Sequence, residues 1–274
     1  MSLPNANEHM QSTANKLPNK IALGYQLINC PAVLTLGVHP NLEDYPDWKQ
    51  NKIQEANKIY FPTSLFSEMF SIMGKEMFPS IQTYRFLGDK IKQTLLFQLL
   101  GLPTPKTRFY FGPKQQASIA SDFSFPFIAK KARTSSQGYG VWLIHDQQEL
   151  NYYLSYNQPA YIQEFLPVQR DFRVVIIGNE IVHAYQRIPA EGSFKANISQ
   201  GGSIGLENIP EEALDLALKA AKMCGFDLVG MDICESSGSF YLFEANMKFG
   251  TKGFQSAGLR YKDILEQKVM EDKV

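Results

Sequence analysis

The stretch that decides the fold is DLVGMDICESSGSFYLFEAN (227–246), two β-rich runs joined by a serine- and glycine-rich turn. This pattern predicts a β-hairpin. Glu244 and Asn246 are two residues apart, so on a strand their side chains project from the same face. If the turn is centred at 237–238, Asp232 falls opposite Glu244 or diagonally next to it, on that same face. The hairpin therefore brings together two carboxylates and an amide oxygen.

These oxygen donors suit a hard divalent cation. Mg²⁺ prefers carboxylate and carbonyl oxygens, and it keeps open positions for phosphate oxygens. Asp232, Glu244 and Asn246 are therefore the predicted metal ligands. The alternative is a set of edge charges on a solvated sheet face, and the hairpin alone does not decide between the two.

The chain before this hairpin indicates the fold class. An earlier hairpin is FRVVII, a GNE turn and IVHAYQR (172–187). A helix between the two hairpins is expected to be capped by Asn208 and to end at Gly225. From Ala32 onward, short apolar runs alternate with helix-like segments in a small α/β unit that ends near residue 86. Antiparallel hairpins after an α/β beginning predict an α+β fold.

Two loops carry groups that could bind an anion. The strand FPFIAKK (125–131) is followed by a loop in which Gly138 and Gly140 would let backbone N–H groups approach an anion, beside Lys130 or Lys131. An ordinary hairpin turn explains these glycines equally well.

The second loop follows Arg187 and contains Lys195. Cations beside a magnesium site are what phosphoryl transfer requires, because they stabilise oxygens that gain charge. Taken alone, a surface loop with incidental charges is the simpler explanation of this segment.

Composition and missing motifs exclude several classes of protein. The 27 basic and 27 acidic side chains leave a formal net charge of zero, so no overall field favours nucleic acid or an anionic membrane. Three cysteines without CxxC spacing and four scattered histidines form no disulfide or zinc framework, which suits a reducing cytosol. No segment reads as a membrane span or signal peptide, and no P-loop, GxGxxG or GxSxG motif occurs. We expect a cytoplasmic protein that binds neither nucleic acid nor membrane.

Taken in order, these segments resemble the ATP-grasp superfamily and, within it, the RimK-type amino-acid ligases. The resemblance covers roughly residues 87–268. It rests on DKIKQTLLFQLLGLPTP, PFIAK followed by SSQGYGV, IQEFL, DFRVVIIGNEIVHAYQR, EGSFKANISQGG, GMDI and FEAN. Each piece is short, but their joint occurrence in this order is specific.

The resemblance implies an ATP-grasp fold, in which two α+β subdomains grip ATP, preceded by a small α/β pre-ATP-grasp domain. We expect a flexible N-terminus at 1–20 and the pre-ATP-grasp domain at 21–86. The small subdomain would span 87–166, and the catalytic C-terminal subdomain would span 167–274.

The resemblance also implies site residues. Those expected at the nucleotide are Lys90, Lys130, Ser136, Gly138, Gly140, Glu164, Phe165, Asp171, Lys195 and Asn197. Glu164 and Phe165 would meet the adenine edge, Asp171 would lie near the ribose, and the others would lie toward the phosphates. Arg187 and Lys195 would act at the transferred group. Asp232, Glu244 and Asn246 would hold one or two Mg²⁺ ions, or Mn²⁺ in their place.

The implied reaction has two steps and needs no protein nucleophile. A small-molecule or peptide carboxylate attacks the γ-phosphate of ATP to give an acyl-phosphate and ADP, and an amine acceptor then displaces phosphate. Two departures from the RimK type lie on the acceptor side: residues 247–250 replace Ser-Pro-Gly, and Lys195 replaces an arginine. These departures leave the identity of the acceptor open. Whether the protein forms a homo-oligomer is also open. The alternatives are an ATP-grasp kinase that phosphorylates a small molecule and a nucleotide-binding protein without turnover.

Overall fold

The structure, a computed structural model, describes residues 20–132, 140–189 and 202–274. The predicted N-terminal segment 1–20 lies almost wholly outside these ranges. The described residues form helices and three sheets in an α+β architecture. In the part of the chain that is described, no helix is long and apolar enough to cross a bilayer.

The N-terminal part is a parallel sheet with short helices. Its elements, in chain order, are β1 (Lys20–Ala22), β2 (Val33–Thr35), α1 (Asp47–Glu55), β3 (Lys58–Tyr60), α2 (Thr63–Ile72), β4 (Glu76–Phe78) and α3 (Ile81–Arg85). The strand order is β2-β1-β3-β4, and every described pair is parallel. This part is therefore α/β in character, and the domain boundary near residue 86 stays a prediction.

The middle part is an antiparallel sheet with order β5-β8-β6-β7. Its elements are α4 (Lys90–Leu99), β5 (Thr107–Tyr110), α5 (Pro113–Gln116), α6 (Ile119–Asp122), β6 (Phe127–Lys130), β7 (Val141–Ile144), α7 (Gln147–Tyr156) and β8 (Ala160–Glu164). The side chain of Asp89 accepts a hydrogen bond from the Lys92 N–H at 3.0 Å and so caps α4. That cap fixes where α4 begins and makes Lys90 its first residue.

The C-terminal part is an antiparallel sheet with order β11-β10-β9-β12-β13. Its elements are β9 (Arg170–Ile177), β10 (Glu180–Ile188), β11 (Ser203–Gly205), α8 (Glu211–Cys224), β12 (Leu228–Ser236), β13 (Ser239–Asn246), α9 (Lys252–Ser256) and α10 (Tyr261–Met270). Both predicted hairpins are present, and Gly225 ends α8 with a φ of 68°. The predicted cap at Asn208 is wrong, because Asn208 takes a left-handed φ of 57° and Pro210 occupies the N-cap position.

The two faces of the C-terminal sheet have different partners. Alternate residues of β9 and β12, such as Phe172, Val174 and Met231, form an apolar core with the alanine-rich side of α8. Phe97 of α4 is buried in the same core, so α4 is anchored to this sheet. The residues between them, such as Arg173, point to the opposite face, where polar side chains gather.

Helix α9 covers one end of this polar face. A Cβ atom built on Gly253 would lie 2.2 Å from Cε1 of Tyr185, closer than side chains tolerate. The Gly253 carbonyl oxygen is 3.0 Å from Nε2 of His183. The absence of a side chain at 253 therefore allows α9 to lie directly on β10.

We predict that Gly253→Ala lowers the free energy of unfolding by about 1–3 kcal/mol, because the added methyl group must displace the Tyr185 ring or α9. Urea unfolding followed by circular dichroism measures the change. Gly250→Ala is the matched control, since a Cβ atom at Gly250 meets nothing within 4 Å. Equal stabilities for the two variants would show that this contact does not hold α9.

Candidate active site

A β-bulge brings the predicted metal ligands onto one face. Between the turn and the pair formed by Ile233 and Leu242, the two strands keep a constant register. The next pair is Asp232 with Glu244, so the register shifts by one residue at this point. Phe243 is therefore the extra residue on β13, and it turns Glu244 toward the face that bears Asp232. Asp232 and Glu244 are directly opposite across the ladder.

Asp232 is surrounded by donors. Arg173 donates to it from Nε and, at 3.1 Å, from Nη2, so the pair is bidentate. Arg187 donates from Nη1 at 3.0 Å, and Asn246 donates from Nδ2 at 3.0 Å. The Asp232 carboxylate is buried. Burial alone would raise the pKa of Asp232, but Arg173 and Arg187 outweigh burial and lower it.

Arg173 is a site residue that the sequence analysis missed. It lies opposite Asp232 in the pairing of β9 with β12. A signal was available: an arginine within the apolar run FRVVII is rarely buried unless it is paired. Only the strand register, however, identifies Asp232 as its partner.

Arg187 joins Asp232 to a second carboxylate. Its Nη2 donates to Oδ1 of Asp171 at 2.6 Å. Burial raises the pKa of Asp171 to about 6, although Arg187 offsets part of the effect. Within the described ranges, Nε of Arg187 is buried without a hydrogen-bond partner. One donor of Arg187 is therefore left for a ligand.

Two lysines approach the same face from the middle part of the chain. Nζ of Lys90 forms an ion pair with Oε1 of Glu244. Nζ of Lys130 lies 5.4 Å from the ring centroids of both Tyr161 and Phe243. Burial lowers the pKa of Lys130, and the carboxylate of Glu244 is the main opposing influence. Lys90 and Lys130, two of the three lysines predicted at the phosphates, thus lie beside the predicted metal ligands.

The charge of this cluster favours an anion. Its members are Lys90, Lys130, Arg173, Arg187, Asp171, Asp232 and Glu244. Four cations against three carboxylates leave one excess positive charge if all are ionised. Buried cations with incomplete compensation attract a polyphosphate strongly.

The donor set fits a metal ion only in company with such an anion. In the described residues, no three His, Cys, Asp or Glu side chains converge as metal ligands. Asp232 and Glu244 are already engaged by cations, and Asn246 adds a single amide oxygen. A divalent cation here would therefore need phosphate oxygens for two reasons. They would complete its coordination shell, and they would attract the arginines and Lys90 away from the carboxylates.

The remaining predicted residues lie at the edges of the site or outside the described ranges. Oε1 of Glu164 accepts a hydrogen bond from the Lys106 N–H at 2.6 Å. The Glu164 carboxylate therefore links the end of β8 to the residue before β5. Phe165 follows β8 and is exposed. Gly140 has a φ of 75°, and its carbonyl accepts from the Lys131 N–H at 2.7 Å. Four predicted residues lie outside the described ranges: Ser136, Gly138, Lys195 and Asn197.

The comparison with protein families settles the type of fold. A family model described as the RimK-like ATP-grasp domain matches residues 88–266. This chain belongs to the RimK-like ATP-grasp family. The resemblance seen in the sequence is confirmed, and so is the predicted ATP-grasp fold.

Relatives and solved structures agree with this assignment. A RimK domain ATP-grasp protein from Sphaerobacter thermophilus has a TM-score of 0.66 at 14% identity, over 90% of this chain and 98% of that one. The ATP-grasp ligase PsnB, solved with its minimal precursor, Mg and ADP, has a TM-score of 0.60 at 17% identity, over 79% of this chain and 78% of that one.

Among curated sequences, the "probable alpha-L-glutamate ligase" of Parasynechococcus marenigrum is 30% identical over 205 residues. The match covers 73% of this RimK-like chain and 44% of that relative, so the chain spans less than half of the relative's length.

We predict that Asp232→Asn destabilises the protein by about 3 kcal/mol, because it leaves two buried arginines without their shared carboxylate. Urea unfolding measures the effect. The control is Asp263→Asn, which removes a carboxylate from an exposed ion pair with Arg260 and should change little. An Asp232→Asn variant as stable as the control would show that the arginine contacts are not formed.

Proposed function

We propose that this RimK-like protein is an ADP-forming ligase that uses ATP and Mg²⁺ to join a carboxylate to an amine through an acyl-phosphate. The observation that carries the proposal is the convergence, on one sheet face, of Asp232 and Glu244 with Lys90, Arg173 and Arg187. Cations and carboxylates gathered in this way are what polyphosphate chemistry requires.

The roles we propose for the side chains come from the resemblance to RimK-type ligases and agree with their contacts. Lys130 and Lys90 would bind the nucleotide phosphates. Arg187, whose buried Nε has no hydrogen-bond partner among the described residues, would stabilise charge on the transferred phosphoryl group. Arg173 would hold the Asp232 carboxylate in place. Mg²⁺, when bound by Asp232, Glu244 and Asn246, would neutralise phosphate oxygens.

The chemistry of the site favours direct transfer of the phosphoryl group to the substrate. Cys234 faces the site from β12, opposite Asp171, but burial raises the pKa of its thiol. A neutral buried thiol is a poor nucleophile. The substrate carboxylate would therefore attack the γ-phosphate itself, and the amine would then attack the acyl carbon while phosphate leaves.

The substrates we propose are an amino acid as amine and a small molecule or peptide as acid. This rests on similarity: one relative is named an alpha-L-glutamate ligase, and PsnB was solved with a precursor peptide. The first experiment is a screen of amino acids and short peptides for ADP release, with mass spectrometry of the products. ADP release that needs both an acid and an amine supports the ligase. ADP formed with one hydroxylated substrate would instead indicate a kinase, and nucleotide binding without ADP would indicate a non-catalytic protein.

We predict that Glu244→Gln abolishes Mg²⁺-dependent ADP release, because it removes a metal-binding charge and the partner of Lys90. A coupled ADP assay measures the rate, and a loss of about a hundredfold or more is expected. Lys219→Gln, on the exposed side of α8, is the matched control. Turnover of Glu244→Gln near the wild-type rate would remove Glu244 from the site.

We also predict that Lys130→Met weakens ATP binding about tenfold or more, because methionine keeps the apolar contact with Tyr161 and Phe243 but loses the charge. Calorimetric titration with a non-hydrolysable ATP analogue and Mg²⁺ measures the affinity. Lys58→Met is the control, since Nζ of Lys58 lies 5.5 Å from the Tyr60 ring centroid in the N-terminal sheet. An unchanged affinity in Lys130→Met would contradict the phosphate role.

A further inference from the structure

A cleft of about 530 Å³ lies at the edge of the C-terminal sheet, between β11 and α9. It is lined by Gly202, Ser203, Ile204, Lys252, Gln255 and Ser256. None of the roles proposed above uses these residues. One wall of the cleft is the start of β11, and the other is α9, which follows the departure from the RimK-type sequence at 247–250.

The strand register places this cleft beside the active site. Ile204 of β11 pairs directly with Arg187 of β10, so their side chains point to the same face of the sheet. Helix α9 is fixed over that face by the contact of Gly253 with Tyr185. The cleft is therefore one strand spacing, about 5 Å, from the strand that carries Arg187.

The lining of the cleft favours an anion. Lys252 is exposed and takes part in no ion pair among the described residues. The other polar lining residues, Ser203, Gln255 and Ser256, are neutral hydrogen-bonding groups, and none of the six residues is acidic. A lysine with no ion-pair partner among the described residues, in an open depression lined by neutral polar groups, has the chemistry to bind a carboxylate.

The position of the cleft indicates which substrate would supply that carboxylate. The carboxylate that becomes phosphorylated must reach the phosphate-binding groups around Arg187 and Lys130. The cleft lies beyond Arg187, on the side away from Asp232 and Glu244 in the strand order. A carboxylate bound there remains unreacted, while an amine a few bonds away on the same molecule would reach the acyl carbon.

We propose that this cleft binds a carboxylate of the amine substrate, with Lys252 as its charge partner, and so selects amino acids as acceptors. The inference rests on the proposed ligase function and adds the residue that recognises the acceptor. Because none of Lys90, Lys130, Arg173 and Arg187 lines the cleft, Lys252 would affect binding of the acceptor and not activation of the acid.

The first arm of the test is direct binding. The protein, loaded with Mg²⁺ and a non-hydrolysable ATP analogue, is titrated by calorimetry with L-glutamate, L-aspartate, glycine and ethanolamine. We expect at least one amino acid to bind more tightly than ethanolamine, which has an amine but no carboxylate. Lys252→Gln should weaken that binding about tenfold or more, and Lys252→Glu should abolish it. Lys219→Gln is the control for a lost surface lysine.

The second arm separates the acceptor from the acid. Hydroxylamine traps an acyl-phosphate as a hydroxamate and carries no carboxylate. With the acid found in the screen, Lys252→Gln should raise KM for the amino acid while leaving hydroxamate formation unchanged. Parallel loss of both activities would assign the cleft to the acid and overturn the proposal. Equal amino-acid binding by Lys252→Glu and wild type would also overturn it. A wild-type protein that forms neither ADP nor hydroxamate would instead refute the ligase function, and the binding arm would still decide what the cleft binds.

Discussion

The structure depends on a single buried carboxylate, that of Asp232, held between Arg173 and Arg187. A charge in this position is tolerable only because its partners are correctly aligned, since removing either side leaves an uncompensated buried ion. The contacts connect β9, β10 and β12 across the middle of the C-terminal sheet. The arginines that pair with Asp232 thus stabilise the sheet and also concentrate positive charge where a polyphosphate would bind.

With all seven groups ionised the cluster has one excess positive charge, and this links the metal to the nucleotide. A divalent cation arriving alone would meet carboxylates that are already neutralised by Lys90, Arg173 and Arg187. A triphosphate would compete for those cations and release oxygen atoms of Asp232 and Glu244. Metal and nucleotide are therefore expected to bind together, each lowering the electrostatic cost of the other.

Local patterns in the sequence were enough to predict the hairpins, the α+β class and the end of α8 at Gly225, because each depends on a few neighbouring residues. The pairing of Asp232 with Glu244 across the hairpin depends on more than the local pattern. An unbroken register from the turn would have placed Asp232 opposite Phe243, and only the bulge brings Glu244 to the shared face. Arg173 was missed for a similar reason, because its partner is 59 residues away in the chain. The cleft at Lys252 likewise depends on how α9 packs against β10, which no local pattern encodes.

The most direct test of this account is Mn²⁺ binding followed by electron paramagnetic resonance, with and without a non-hydrolysable ATP analogue. The account predicts weak Mn²⁺ binding to the protein alone and much tighter binding when the analogue is present, beyond the affinity of the analogue itself for Mn²⁺. It also predicts that Glu244→Gln removes this gain. Tight Mn²⁺ binding without nucleotide, or a gain that survives Glu244→Gln, would contradict it.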